Sequence, residues 1–200
     1  HEITKRDYLK KVLSNIKLFI DNGFNIKINM VTLKGVNLHE IKDFLAWTKN
    51  EKVHVRFIEF MPFNGNSWDF SKIVSYKEIL SIVDSNFEYD RIQDAKNDTA
   101  KNFRLKDAIG TFAVISSVTD SFCGTCNRIR LTADGKIKNC LFSNDELDLL
   151  SACRKGDDIE NLIFQSIESK FAERGGLPEF ENIREGKDLG DGRCMFAIGG

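Results

Sequence analysis

The sequence predicts an α/β fold for residues 1–74 followed by an α+β region over residues 75–200, on three observations. Helix-period and strand-period stretches alternate from Tyr8 to Phe60, the pattern of βα units with parallel strands. The texture then changes after Pro62 to a polar loop carrying Trp68, with a boundary near Val74. Beyond it, short strands feed a cysteine-bearing hairpin before two helices and a Gly-rich, charged tail.

Between Tyr8 and Asn22, Leu9, Val12, Leu13, Ile16, Phe19 and Ile20 form an apolar helical stripe, and Gly23 stands where a left-handed C′ residue ends a helix. Ile26–Thr32 alternates and is rich in β-branched residues, so it reads as a strand. Asn37 with Glu40 has capping-box spacing and opens a helix whose buried face is Ile41, Phe44, Leu45 and Trp47. Val53–Phe60 is a second strand, apolar enough on both faces to expect cover from both sides. Two strands complete neither a barrel nor an open sheet, so further units are expected upstream. Ser75 and Glu78 cap a helix through about Val83. Gln93–Asn102 reads as a loop, FRLKD and GTFAVIS as strands, and Asp145–Arg154 and Asp157–Glu173 as helices, the last with Ile159, Leu162, Ile163, Ser166, Ile167 and Phe171 on one side.

Composition limits the functions available. A formal net charge of −1 over 200 residues gives no basic field for nucleic acid, so any anion site is local. No apolar run is long enough to span a bilayer, and HEITKRDYLKK lacks a signal-peptide core, which predicts a soluble, cytoplasmic protein. Five cysteines, grouped as one motif plus Cys153 and Cys194, suit a reducing compartment rather than a disulfide framework. Cys153 and Cys194 read as buried small hydrophobes, the phenylalanines as core, and His39 and His54 as non-ligands.

Cys123 and Cys126 have the two-residue spacing with which two thiolates grip one centre, and an Ala-Asp-Gly-Lys turn folds Cys140 back beside them. Three thiols without a fourth protein ligand suit an iron–sulfur cluster with one open iron. The competing reading is a small zinc ribbon completed by Cys153, a binding module rather than an enzyme. Arg128 and Arg130, two apart on a strand, would point the same way as forked donors for phosphate or a polar base. Lys27 and Asn29 share one face of their strand, and Arg56 shares a face with Ile58 and Phe60, while Glu59 turns the opposite way with Phe57. At the chain end Met195–Ile198 is apolar enough to dock, which would carry Gly199 and Gly200 into an enclosed place; a disordered tail is the alternative.

KINMV followed by KGVN, then RFIEFMP, then SFCGTCNRIRLTADGKIKNCLF and the terminal MFAIGG together resemble the GTP 3′,8-cyclase family of radical S-adenosylmethionine enzymes in molybdenum cofactor biosynthesis. The resemblance implies the C-terminal part of an incomplete (βα)6 TIM-like barrel and an α+β domain carrying a [4Fe–4S] cluster. It implies that Cys123, Cys126 and Cys140 ligate that cluster, that Arg128, Arg130 and Arg56 hold GTP, and that Lys27, Asn29 and Met61 contact S-adenosylmethionine. Gly199 and Gly200 match the tail needed for turnover. The partners it implies are GTP, S-adenosylmethionine, a second [4Fe–4S] cluster, an electron donor and a downstream cyclic pyranopterin monophosphate synthase, and it is compatible with a homodimer. No C-x-x-x-C-x-x-C occurs in these residues, so the chain is expected to be a C-terminal portion and inactive as a cyclase by itself. Another radical S-adenosylmethionine enzyme with an auxiliary cluster and a different substrate is the remaining alternative.

Overall fold

The computed structural model describes residues 5–183, 189, 192–194 and 197–198. Helix α1 (Leu9–Asp21) ends in a Schellman motif: Gly23 has φ +79°, its N–H donates to the Ile20 carbonyl, and the Phe24 N–H reaches the Phe19 carbonyl at 3.0 Å. The Phe19 and Phe24 rings meet edge-on at 5.3 Å, the apolar contact that accompanies such a stop. Most of the stripe on α1 remains exposed, Leu9, Val12, Leu13 and Phe19 included, and Ile20 is the residue that packs on the core.

Strand β1 (Ile26–Thr32) runs parallel to β2 (Val53–Glu59) with α2 (Ile41–Asn50) between them, so the βαβ reading holds. The capping box at Asn37 does not form. A short 3-10 turn, Leu38–Glu40, precedes α2, and the Asn37 amide instead accepts from Leu33 N–H and donates to the Val31 carbonyl, both at 2.8 Å. An amide that can donate and accept closes the strand-to-helix loop better than it caps. Ser75 and Glu78 do form the reciprocal box at the start of α3 (Tyr76–Asp84). There the Lys34 ammonium, then the Ser75 N–H, hold the Glu78 carboxyl at about 2.

The sheet continues past Val74. Strand β5 (Thr111–Ile115) pairs parallel with β2 and antiparallel with β4 (Lys101–Leu105), which pairs with β3 (Tyr89–Arg91), giving the order β1-β2-β5-β4-β3. Gly110 is needed at the entry to β5 because a Cβ there would meet the Val53 carbonyl at 2.4 Å. Both α2 and α3 pack on one face of this sheet, with Ile41, Leu45, Ile79 and Val83 against Val55, Phe57, Phe103 and Phe112. The other face, bearing Lys27, Asn29, His54, Arg56 and Ile58, is half-buried or exposed. The expected cover on both sides of β2 is therefore not found among the described residues: strict inward–outward alternation leaves only one face in the core.

A second, three-stranded sheet holds the cysteine hairpin: β6 (Arg130–Leu131), β7 (Lys136–Lys138) and β8 (Leu147–Asp148), all antiparallel. Gly135, φ +79°, makes the turn, its N–H donating to the Thr132 carbonyl. Helix α4 (Leu149–Lys155) starts later than expected because residues 147 and 148 pair with β7 and the Asp148 side chain caps Ser151 N–H. Likewise Asp158 caps α5 (Ile159–Glu168), which stops short of Glu173. Ile167, Phe171 and Phe164 are exposed, as are Phe24 and Phe70, so neither the whole predicted stripe of α5 nor every phenylalanine is core. Cys153 is exposed on α4 rather than buried.

Arg193 fastens the chain end to this small sheet. Its guanidinium takes both oxygens of Glu146 at 2.7 and 2.8 Å and Asp134 in the hairpin turn at 2.6 Å. Beyond it Ile198 is buried, 2% exposed, among Phe63, Lys138 and Phe142. Arg193, then Thr132, lower the Asp134 carboxyl to about 2. A depressed carboxyl stabilises the folded contact above its ordinary pKa, and that contribution is lost as pH falls through the depressed value. Protection factors at residues 192–194, taken relative to intrinsic exchange at each pH, are therefore expected to hold down to roughly pH 3 and to fall toward pH 2, and Arg193→Met is expected to remove that fall.

Candidate functional site

A cavity of about 360 Å³ opens over the carboxyl ends of β2 and β5, where Ile58 and Ile115 form its floor. Ligands collect at that end of parallel strands because the loops leaving it converge there. Three segments complete the walls. Met61 follows β2, Ser117, Ser121 and Phe122 follow β5, and Cys123, Cys126, Arg128, Arg130 and Cys140 come from the hairpin and the 3-10 turn Cys123–Thr125 that precedes it. Six residues singled out from the sequence thus line one cavity: three cysteines, two arginines and Met61.

Three of the remaining five lie off that wall. Lys27, Asn29 and Arg56 stand on the open face of the sheet, where Asn29 and Arg56 are register partners and the Arg56 Nε–H donates to Asn29 Oδ1 at 2.8 Å. Arg56 is two residues before Ile58 on the same face of β2, so it approaches the cavity from below. Gly199 and Gly200 lie outside the described residues.

The cysteine turn is held by cations. Lys170, just past α5, donates to the Cys126 carbonyl at 3.0 Å, to Cys126 Sγ at 3.4 Å and to the Arg128 carbonyl at 3.1 Å. The Arg128 guanidinium lies over the Phe122 ring and donates to the Asn97 carbonyl at 2.7 Å. Burial by itself pushes the Cys126 thiol up, but the Arg128 backbone hydrogen bond and the Lys170 ammonium outweigh it and hold the thiol below its ordinary value. Lys138 also lines the cavity, only 2% exposed; burial lowers its pKa against the opposing charge of Glu146, and its ammonium donates to the Ser143 carbonyl. Lys170 and Lys138 are the site residues the sequence did not disclose. Lys138 is adjacent to the motif's Asn139 and could have been suspected as a charged residue inside a strand, whereas Lys170 gives no local signal.

Among the described residues no three His, Cys, Asp or Glu side chains are grouped closely enough to hold a metal ion. The three thiols share the cavity, and Cys126 Sγ accepts from Lys170 and Arg128. The donor set nonetheless suits an iron–sulfur cluster: partly accessible soft ligands, one biased toward thiolate, with Arg128, Arg130 and Lys138 alongside to offset negative charge. Cys153 does not line the cavity, which leaves the zinc reading without its fourth ligand there. No helix of the described residues is long and apolar enough to cross a membrane.

Comparison with known proteins follows the same residues. Residues 53–175 match a family model described as Molybdenum Cofactor Synthesis C. Molybdenum cofactor biosynthesis protein 1 of Homo sapiens is 42% identical over 163 residues, covering 80% of this chain and 26% of that protein. A mitochondrial GTP 3′,8-cyclase of Arabidopsis thaliana is 40% identical over 203 residues, 99% of this chain and 50% of that protein. The GTP 3′,8-cyclase of Peptoclostridium acidaminophilum is 37% identical over 201 residues, 99% of this chain and 58% of that protein. The chain therefore spans between about a quarter and three-fifths of the length of these relatives.

Proposed function

Because the chain belongs to the Molybdenum Cofactor Synthesis C family, we propose that it forms the GTP-binding part of a GTP 3′,8-cyclase in molybdenum cofactor biosynthesis. The observation that carries this reading is the single cavity in which Cys123, Cys126 and Cys140 face Arg128 and Arg130 over the carboxyl ends of parallel strands.

Each wall has a task in that reading. Cys123, Cys126 and Cys140 would hold a [4Fe–4S] cluster, whose fourth iron, lacking a protein ligand, supplies a Lewis-acidic seat for the purine. Arg128 and Arg130 meet the phosphates and the base edge with forked donors, and Arg56 extends that positive strip toward the open sheet face. Met61, with Ile58 and Ile115, gives an apolar shelf for a flat ring. Lys27 and Asn29, on the adjoining strand of the open face, are positioned for the carboxylate and hydroxyls of S-adenosylmethionine. Fixing base and phosphates at separate points orients a sugar between them, as an attack within one nucleotide requires.

The sheet fits the end of a partial (βα)6 barrel. With α2 and α3 on the same face, the strands are wound in one sense, and the free face has the polar composition of a barrel interior. A division of tasks near residue 74 within one continuous sheet, absence of cyclase activity in the isolated chain, hand-off of product to a pyranopterin synthase and homodimerisation belong to the same proposal. So does a cytoplasmic location, although the plant relative is named as mitochondrial.

Thermal unfolding with nucleotides tests the core of the proposal. GTP at about 100 times its dissociation constant adds about 2.7 kcal/mol, which raises Tm by several degrees for a chain of 200 residues. ATP at the same concentration is expected to add less than half of that shift. Equal protection by both would reject guanine recognition.

A further inference from the structure

Glu59 is a buried acidic residue to which none of these tasks falls. It ends β2, is 0% exposed, and points to the face opposite the cavity-lining Ile58. Its Oε1 accepts from Tyr76 N–H, the first residue of α3, at 2.9 Å and from the Thr119 hydroxyl. Its Oε2 accepts from Val118 N–H at 2.7 Å and Thr119 N–H at 2.9 Å. Among the described residues no Lys, Arg or His forms an ion pair with it. Four donors fill the lone pairs of this enclosed side chain, one of them at a helix N-terminus.

Three of those donors belong to the segment that matters for the cavity. Residues 116–122 connect β5 to Cys123 and supply Ser117, Ser121 and Phe122 to the wall. On its other side Lys101 grips the same segment, donating to Ser116 Oγ at 2.7 Å and to the Asp120 carboxylate and carbonyl, while Ser116 Oγ donates to the Asp120 carbonyl at 2.8 Å. Lys101 also lies over the ring of Tyr76, the residue whose N–H Glu59 binds. The two grips differ in kind. Lys101 ties the loop to β4, and Glu59 ties it by hydrogen bonds to the end of β2, between Ile58 and Met61.

We infer that Glu59 is a positioning residue: it sets the Ser117–Cys123 wall against the Ile58–Met61 wall and so fixes the width of the cavity. It touches neither substrate nor cluster, and its effect on nucleotide affinity rests on the GTP-binding reading. Its effect on the loop does not.

Amide hydrogen exchange on the intact protein separates the two. Glu59→Gln turns one acceptor oxygen into a donor facing N–H groups, so exchange at Val118 and Thr119 is expected to accelerate about tenfold or more, with Val55 and Phe57 unchanged. GTP affinity should fall by a comparable factor. Thr119→Val, which removes one donor, should give a smaller rise at the same amides, and Thr119→Ser should return them to the wild-type rate; this pair decides the matter if Glu59→Gln does not fold. An unchanged rate at Val118 and Thr119, or a rise shared equally by Val55 and Phe57, overturns the inference. Failure of the wild type to bind GTP would sink the nucleotide reading and leave the exchange result to stand by itself.

Discussion

Cys123→Ser, Cys126→Ser and Cys140→Ser are each expected to abolish iron–sulfur incorporation on anaerobic reconstitution, while Cys153→Ser retains it. The three line one cavity, and Cys153 stands exposed on α4 outside it. A serine hydroxyl is neither soft nor ionised near neutral pH, so it does not replace a thiolate on iron. With only three protein ligands, losing one leaves two, too few to retain a cluster of about four irons against chelators. Iron, sulfide and zinc analysis measures the outcome. Zinc in place of iron, lost on Cys153→Ser, would favour the closed four-cysteine ribbon and end the cluster reading. The thiolates of a cluster each bind a different iron and stand farther apart than the ligands of one ion, so the lack, among the described residues, of a group that could hold a single ion is compatible with a cluster here. Lys170, donating at once to the Cys126 carbonyl, Cys126 Sγ and the Arg128 carbonyl, holds the cysteine turn.

The features legible in the sequence are those that local physics decides. Strand β1 falls on Ile26–Thr32 because period-two alternation and β-branching coincide, and α1 stops at Gly23 because only glycine adopts φ +79° there without strain. The hairpin that folds Cys140 back toward Cys123 follows from its Asp-Gly turn. Where two local solutions compete, tertiary context chooses. Asn37 has capping-box spacing, yet it secures the end of β1; Asp145 could start a helix, yet pairing of Leu147–Asp148 with β7 delays α4 to Leu149. The pairing of β5 with β2 has no local signature at all, because a long connection separates the partners and parallel ladders carry no turn chemistry. For the same reason Lys170 and the role of Glu59 are invisible in the sequence: each acts on residues far along the chain.

Phe112→Ala is expected to cost about 3–5 kcal/mol, the range for removing a wholly buried aromatic ring, and so a large part of the stability of a domain of this size. Phe112 is the second residue of β5 and is fully buried. It stacks on Phe103 at 5.1 Å and meets Tyr89 at 5.9 Å and Phe57 at 6.4 Å edge-on, so its ring joins the antiparallel strands to the parallel ones. Phe164→Ala on α5, where the ring is mostly exposed, is expected to change stability by less than about 0.5 kcal/mol. Urea unfolding followed by fluorescence and by circular dichroism measures both. Because β5 is at once the centre of the sheet and the lead into the loop that Glu59 holds, loosening it should weaken GTP protection along with stability. Glu59→Gln, in contrast, should weaken binding by more than its smaller loss of stability accounts for. The form of the curve is informative as well. One transition, shifted as a whole by Phe112→Ala, is what a sheet shared across residue 74 requires. Two transitions, with only the later residues shifted, would mean that β1 and β2 fold independently of β5 and that the boundary near Val74 separates true domains.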